Sequence, residues 1–172
     1  MSPVFIRYAT EKDAELIADI SRQTFYDTFS AVNTKENMDK FMIEKFTKEN
    51  LMAEVGAPGN IFLLAYNNDE IVGYARLREN NNPKKLNGLS TLEIARIYAT
   101  KNAIGKGVGK ALMEKSISIA KEKGKQLIWL GVWKENQSAI NFYTKWGFKI
   151  FDEHDFILGN DVQKDWLMKK TI

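Results

Sequence analysis

The sequence predicts an α/β sandwich in which one mixed, mostly antiparallel sheet carries helices on both faces. Three observations point there. Apolar residues alternate between helical spacing and short β-branched runs in the order β-α-α-α-β-β-β-α-β-α-β-β. Leu127-Ile128-Trp129-Leu130-Gly131-Val132-Trp133 is continuously apolar, as expected of a strand covered on both faces. The chain has 172 residues, 44% of them hydrophobic, which suits one core and is too short for two ordinary ones; a single domain over 1–172 is expected.

Each element follows from its residues. Residues 4–8 read as an opening strand, and Thr10 with Asp13 three positions on gives a capping-box signal for a helix carrying Leu16, Ile17, Ile20 and Thr24 on one side. That helix ends near Phe29. Asn33-Thr34 starts a second helix with Met38, Phe41, Met42 and Phe46 at helical spacing, and residues 47–55 form a third before Gly56-Ala57-Pro58-Gly59 breaks it. Two strand-like runs, 61–66 and 71–77, are joined by Asn67-Asn68-Asp69-Glu70, a hairpin signal. Residues 80–90 are polar and form the segment expected to be mobile. Residues 92–98 form a strand leading to a glycine turn, and the helix beyond buries Val108, Ala111, Leu112, Ile119 and Ala120 until Gly124 stops it. Asn136 or Ser138 caps a further helix whose stripe is Ala139, Ile140, Phe142, Tyr143 and Trp146, ended by Gly147. Residues 148–151 and 165–168 close the chain as two strands.

Composition removes several classes of function. With no cysteine, disulfides, thiolate metal sites and a cysteine acyl-enzyme are excluded. The net charge of +3, from 25 basic and 22 acidic residues without a basic run, does not suggest a nucleic-acid binder. No signal-peptide region or membrane-length apolar run is present, so a cytosolic protein without a membrane partner is expected. His154 stands alone within Asp152-Glu153-His154-Asp155 and has no spaced partners, so no metal is assigned.

The most informative stretch is Ile104-Gly105-Lys106-Gly107-Val108-Gly109-Lys110, where a strand runs into a helix through alternating glycines. The first N–H groups of a helix lack internal acceptors and carry the positive end of its dipole, so they bind anions. Glycine removes the Cβ atoms that hold a ligand away. A Walker loop is excluded because Ile104 stands where its first glycine belongs and Ala111 where Ser or Thr belongs. A dinucleotide fingerprint is excluded by Lys110 and Leu112 at its last glycine position. A glycine turn without a ligand is the remaining alternative.

This turn resembles the Gln/Arg-x-x-Gly-x-Gly/Ala signature of the GCN5-related N-acetyltransferases, with Ile104 at the Gln/Arg position. A second motif, Asn136-x-x-Ala139-x-x-Phe142-Tyr143-x-x-Trp146-Gly147-Phe148, is similar to that family's Asn-x-x-Ala-x-x-Phe-Tyr-x-x-x-Gly-Phe. The likeness is strong over residues 92–148 and rests elsewhere on element order. It implies the family's sandwich fold, with acetyl-CoA as co-substrate. The pyrophosphate would sit on backbone N–H groups of Gly105, Lys106, Gly107, Val108, Gly109 and Lys110, and the pantetheine arm beside Ile97, Tyr98 and Ala99.

The resemblance also places Tyr143 beside the coenzyme sulfur, where a phenol with pKa near ~10 is protonated at neutral pH and can serve as an acid. A plain buried tyrosine is the alternative. Asn136 would bond the coenzyme arm or the substrate, or act only as a helix cap. Glu93 stands where several relatives carry a general base, or is a strand carboxylate paired with Arg96 or facing solvent. A base is needed because an amine with lysine's pKa of ~10.4 costs roughly 4–5 kcal/mol to deprotonate at pH 7. Gln23-Thr24-Phe25-Tyr26-Asp27-Thr28-Phe29, with residues 93–98 and 128–133, looks like the bacterial PaiA-type polyamine acetyltransferases. Tyr26 and Asp27 would then hold the acceptor, since aromatic faces and carboxylates attract ammonium groups. The expected function is acetyl transfer to a primary amine, foremost spermidine or spermine, by direct attack in a ternary complex. A protein N-terminus or lysine, an aminoglycoside, and an acetyl-CoA sensor without turnover stand as alternatives. Oligomeric state is left open.

Overall fold

The computed structural model describes residues 2–172. The elements are β1 (Phe5–Tyr8), α1 (Ala14–Phe29), α2 (Lys35–Glu44), α3 (Lys48–Glu54), β2 (Asn60–Asn67), β3 (Glu70–Glu79), β4 (Thr91–Ala99), α4 (Val108–Glu122), β5 (Leu127–Trp133), α5 (Gln137–Lys145), β6 (Lys149–Leu158) and β7 (Asp161–Thr171). This is the expected order. All strands join one sheet in the order β1-β2-β3-β4-β5-β7-β6. β4 and β5 pair parallel; every other neighbouring pair is antiparallel.

Local chemistry sets the helix starts. Thr34 Oγ1 accepts from the Asn37 N–H and Thr47 Oγ1 from the Asn50 N–H, each at 3.2 Å. The Thr10–Asp13 capping box forms in a short 3₁₀ turn ahead of α1. Asn67-Asn68-Asp69-Glu70 closes the expected hairpin, with Asn68 at φ 54°. Phe46 falls in the turn after α2 rather than on it, and its ring packs 4.9 Å from Phe25 and 5.4 Å from Phe41.

The sheet separates two apolar layers. On one face Leu63, Ala75, Leu77, Ile94, Ile128 and Leu130 meet Leu112, Met113 and Ile119 of α4. On the other, Phe62, Leu64 and Tyr74 meet Ile17 and Ile20 of α1, beside the Phe25, Phe41 and Phe46 cluster. At β3 the close approach depends on Gly73, where an added Cβ would lie 2.6 Å from the Tyr98 carbonyl oxygen and 2.6 Å from Val108 Cγ1. No side chain fits between β3 and the first turn of α4.

Two expectations are corrected. The last two strands are far longer than residues 148–151 and 165–168, because β6 is the sheet edge and its polar residues face water or pair across to their neighbours. Asp155 pairs with Lys164, and Glu153 with Lys134. A half-exposed edge strand lacks the apolar signature by which strands are read. Residues 80–90 are tied down rather than loose. Leu86 is buried with Leu127, Trp129 and Leu167, and Asn82 Nδ2 donates to the carbonyls of Leu86 (2.9 Å) and Leu89 (2.7 Å).

One ion pair fixes the entry to α1. Both terminal guanidinium nitrogens of Arg7 reach Asp13 at 2.8 Å, and Asp13 also accepts from the Thr10 N–H. The Arg7 bonds hold the Asp13 carboxyl down at about 2, from an ordinary 3.8. A carboxylate depressed in the folded state stabilises above its unfolded pKa and loses that contribution as pH falls through the folded one. Asp13→Asn is therefore expected to cost about 1–2 kcal/mol at neutral pH, partial exposure of Arg7 weakening the pair, and only a small fraction of that near pH 2, where the carboxyl is about half protonated. Urea unfolding at both pH values checks this; an equal cost at each would show that the ion pair is not its source.

Candidate active site

The site is built where two parallel strands part. β4 and β5 pair only from Thr91↔Leu127 to Ile94↔Leu130, after which β4 follows β3 to Ala99 and β5 follows β7 to Trp133. The split begins at an irregularity in which Ile94 and Arg96, but not Ala95, find partners on β3. One continuous cavity of about 840 Å³ occupies the gap, reaching from the α4–α5 face to the α1–α2 face.

At the α4 end, Gly105 and Gly107 have φ of 79° and 85°, which an L-residue adopts only at a cost, and Gly107 caps α4. Nothing lies within 4 Å of where their Cβ atoms would be. Ile104, Gly105, Gly107, Gly109 and Lys110 line the cavity. Lys106 does not, and its N–H already donates to the Ala103 carbonyl at 3.2 Å, so it leaves the expected phosphate array. Val108 is buried in the core, so only its backbone is available. Val108, Gly109 and Lys110 stand in the first turn of α4, where N–H groups have no acceptor within the helix.

Ile97, Tyr98 and Ala99 line the middle of the cavity. The Tyr98 ring points to the α1 face, stacked on Tyr74 at 6.0 Å, so what it presents toward α4 is backbone. Asn136 caps α5, its Oδ1 accepting from the Ala139 N–H at 3.3 Å. Tyr143 is 9% exposed, lines the same cavity, and its hydroxyl has no hydrogen-bond partner among the described residues. Burial pushes its phenol above the ordinary value, so it stays protonated.

The α1–α2 end is an aromatic chamber formed by Phe25, Phe29, Phe41, Phe46, Trp133 and Phe156. Tyr26 and Asp27 are not in it. Helical periodicity turns Phe25, Thr28 and Phe29 to the cavity and the two residues between them away; Tyr26 borders a separate shallow depression, and Asp27 accepts from Gln23 Nε2 at 2.9 Å. Glu93 is also outside the lining. The residue is 6% exposed, and its carboxylate accepts from Arg78 Nε at 2.8 Å, Arg78 Nη2 at 3.0 Å and Asn81 Nδ2 at 2.8 Å. The partner is Arg78, not Arg96. Arg96 instead donates to both oxygens of Glu54 at 2.7 and 2.8 Å, and Arg76 reaches the same carboxylate at 3.2 Å. Burial and the neighbouring Arg96 charge lower Arg76 to about 10.

Sequence reading missed Asp165, the one carboxylate that lines the cavity. Its position depends on the β6–β7 register, which sets it opposite His154, and on β5–β7, which sets it opposite Trp133. Among the described residues no cluster of groups suited to a metal occurs, and no helix is long and apolar enough to cross a membrane.

Residues 18–148 match the model of a family described as the acetyltransferase (GNAT) family. The chain is 38% identical to an N-acetyltransferase of Lactobacillus delbrueckii subsp. lactis, over 100% of this chain and 99% of that one. It is 28% identical to the spermidine N(1)-acetyltransferase of Thermoplasma acidophilum, over 89% and 94%. In three dimensions it is similar to the PaiA N-acetyltransferase of Thermoplasma acidophilum crystallised with coenzyme A, with a TM-score of 0.77, 25% identity and 99% of each chain covered.

Proposed function

The chain belongs to the acetyltransferase (GNAT) family, and on that premise we propose that the split between β4 and β5 is where acetyl passes from acetyl-CoA to a primary amine in a ternary complex. The observation that carries this is the continuity of one cavity from the glycine turn, past the unpartnered Tyr143 hydroxyl, to an aromatic chamber on the opposite face of the sheet. The fit to the donor is physical. The turn exposes N–H groups with no Cβ in the way, suiting a pyrophosphate, and the unpaired edges of β4 and β5 offer backbone partners to an amide-bearing arm. Asn136 keeps its amide N–H groups free for that arm or for the acceptor.

In this reading the amine enters from the aromatic side, and its nitrogen lone pair attacks the thioester carbonyl carbon as the C–S bond breaks. The electron pair leaves on sulfur. Tyr143 donates to the departing thiolate, and the proton that the attacking nitrogen sheds as the amide forms recharges the phenol, directly or through solvent. No covalent acyl-enzyme is required, in keeping with the absence of cysteine.

For the acceptor we propose a polyamine. Tyr26 and Asp27 no longer support it. What does is the set of aromatic faces, which attract ammonium groups, the Asp165 carboxylate in the wall, and the likeness to a spermidine acetyltransferase. Of the three cavity arginine charges two are balanced by carboxylates, because Glu54 is shared by Arg76 and Arg96, and Glu93 engages Arg78. Thiol release from acetyl-CoA is the test, with spermidine, spermine, a short monoamine, a peptide with a free N-terminus and an aminoglycoside as acceptors. Turnover with spermidine and spermine well above the monoamine is expected. Equal rates would remove the polyamine assignment, and tight acetyl-CoA binding with no turnover on any amine would make the protein a sensor.

A further inference from the structure

An attacking amine must first lose a proton, and Glu93 is poorly placed to take it, with three donors on its carboxylate and no place in the cavity wall. Asp165 is in the wall. Its side chain is 14% exposed, and its Oδ2 lies 3.3 Å from Nε2 of His154, whose side chain is 46% exposed. Gly131 lines the cavity beside the pair, and a Cβ there would stand 3.5 Å from His154 Nε2. A side chain at 131 would stand between the cavity and this pair. One carboxylate thus connects the chamber to an imidazole that reaches solvent.

The geometry points to Asp165 as the base that takes the proton from the acceptor ammonium, with His154 as the positioning residue that passes it to water. The inference rests on the amine acetyl-transfer reading above. The ammonium N–H bond breaks and an O–H bond forms on Asp165, leaving the nitrogen its lone pair for attack. Neutral His154 then accepts the proton at Nε2 and releases it to solvent, which restores the carboxylate. The surrounding charges leave the pair free for this. Arg78 engages Glu93 from β3, and on the β5–β7 side Lys164 engages Asp155, Lys134 engages Glu153 and Lys85 engages Asp152. Tyr98, also in the wall, stays neutral because burial raises its phenol. The hydrogen bond that Asp165 accepts from the ring, with lesser contributions from Glu93 and Asp155, raises His154 above its ordinary 6.5. The acidic limb of the rate profile should therefore lie above the position an ordinary imidazole would give it, since His154 must be neutral to receive the proton.

The experiment is the pH profile of kcat/KM for the best amine with wild type, Asp165→Asn and His154→Gln, alongside calorimetric acetyl-CoA affinity. Wild-type turnover establishes the acetyl-transfer reading on its own, so its absence and failure of the base assignment are distinct results. Asp165→Asn should lose about 10²-fold in kcat/KM at neutral pH, and the deficit should close toward about pH 10, where an alkylamine deprotonates unaided. His154→Gln should lose less and shift the acidic limb to lower pH. A deficit in Asp165→Asn that stays constant with pH, or one accompanied by lost acetyl-CoA binding, would assign the carboxylate a structural role and overturn the inference. An unmoved acidic limb in His154→Gln would remove the relay.

Discussion

Tyr143→Phe is expected to lower kcat by about 10²-fold with little change in acetyl-CoA affinity, because its phenol lines the cavity beside the strand split and has no other hydrogen-bond partner among the described residues. The ring itself should stay. It packs edge-on at 5.5 Å from Phe142 and 6.0 Å from Phe148, contacts that phenylalanine preserves, and its hydroxyl has no protein partner to leave unsatisfied. Loss of activity without loss of stability is thus the signature of a chemical role. Burial raises this phenol above its ordinary value, so its ionisation should not shape the wild-type profile in the neutral range. Steady-state rates with a good amine, read with melting curves for both proteins, check this. Near-normal kcat would leave water as the donor to sulfur.

Gly107→Val should weaken acetyl-CoA binding by tenfold or more while the fold survives. At φ 85° a side chain costs about 1–2 kcal/mol, and a β-branched one is placed worst of all. The penalty is conformational rather than steric within the protein, since no atom lies within 4 Å of the added Cβ. The turn can relieve it by rotating toward negative φ, which swings the N–H groups at the start of α4 off the ligand. Each ~1.4 kcal/mol of lost contact is tenfold in affinity. Calorimetry on the folded variant decides; unchanged affinity would place the pyrophosphate away from this turn.

Much of the molecule is legible from local chemistry. The element order, the caps at Thr34 and Thr47 and the Asn68 hairpin depend on residues within a few positions of one another, so periodicity and turn preference suffice to read them. The glycine turn is legible for the same reason: strand, turn and helix are contiguous in the chain. The lateral relations are a different matter. That β4 and β5 part after Ile94 is set by which neighbour each strand keeps, and that split creates the cavity. Glu93 is drawn to Arg78, fifteen residues away on β3, because strand pairing places the two directly opposite. Asp165 faces the chamber through the register of the closing hairpin, whose edge strand is too polar to be recognised as long. Tyr26 and Asp27 lie between cavity-facing residues on α1, and the helical repeat that turns them away was readable once the cavity side was known. Sequence alone therefore determined the order of the elements and the family-like donor turn, which are written in consecutive residues. Tertiary structure decided which charged groups reach the acceptor, because that depends on register and burial between segments far apart in the chain.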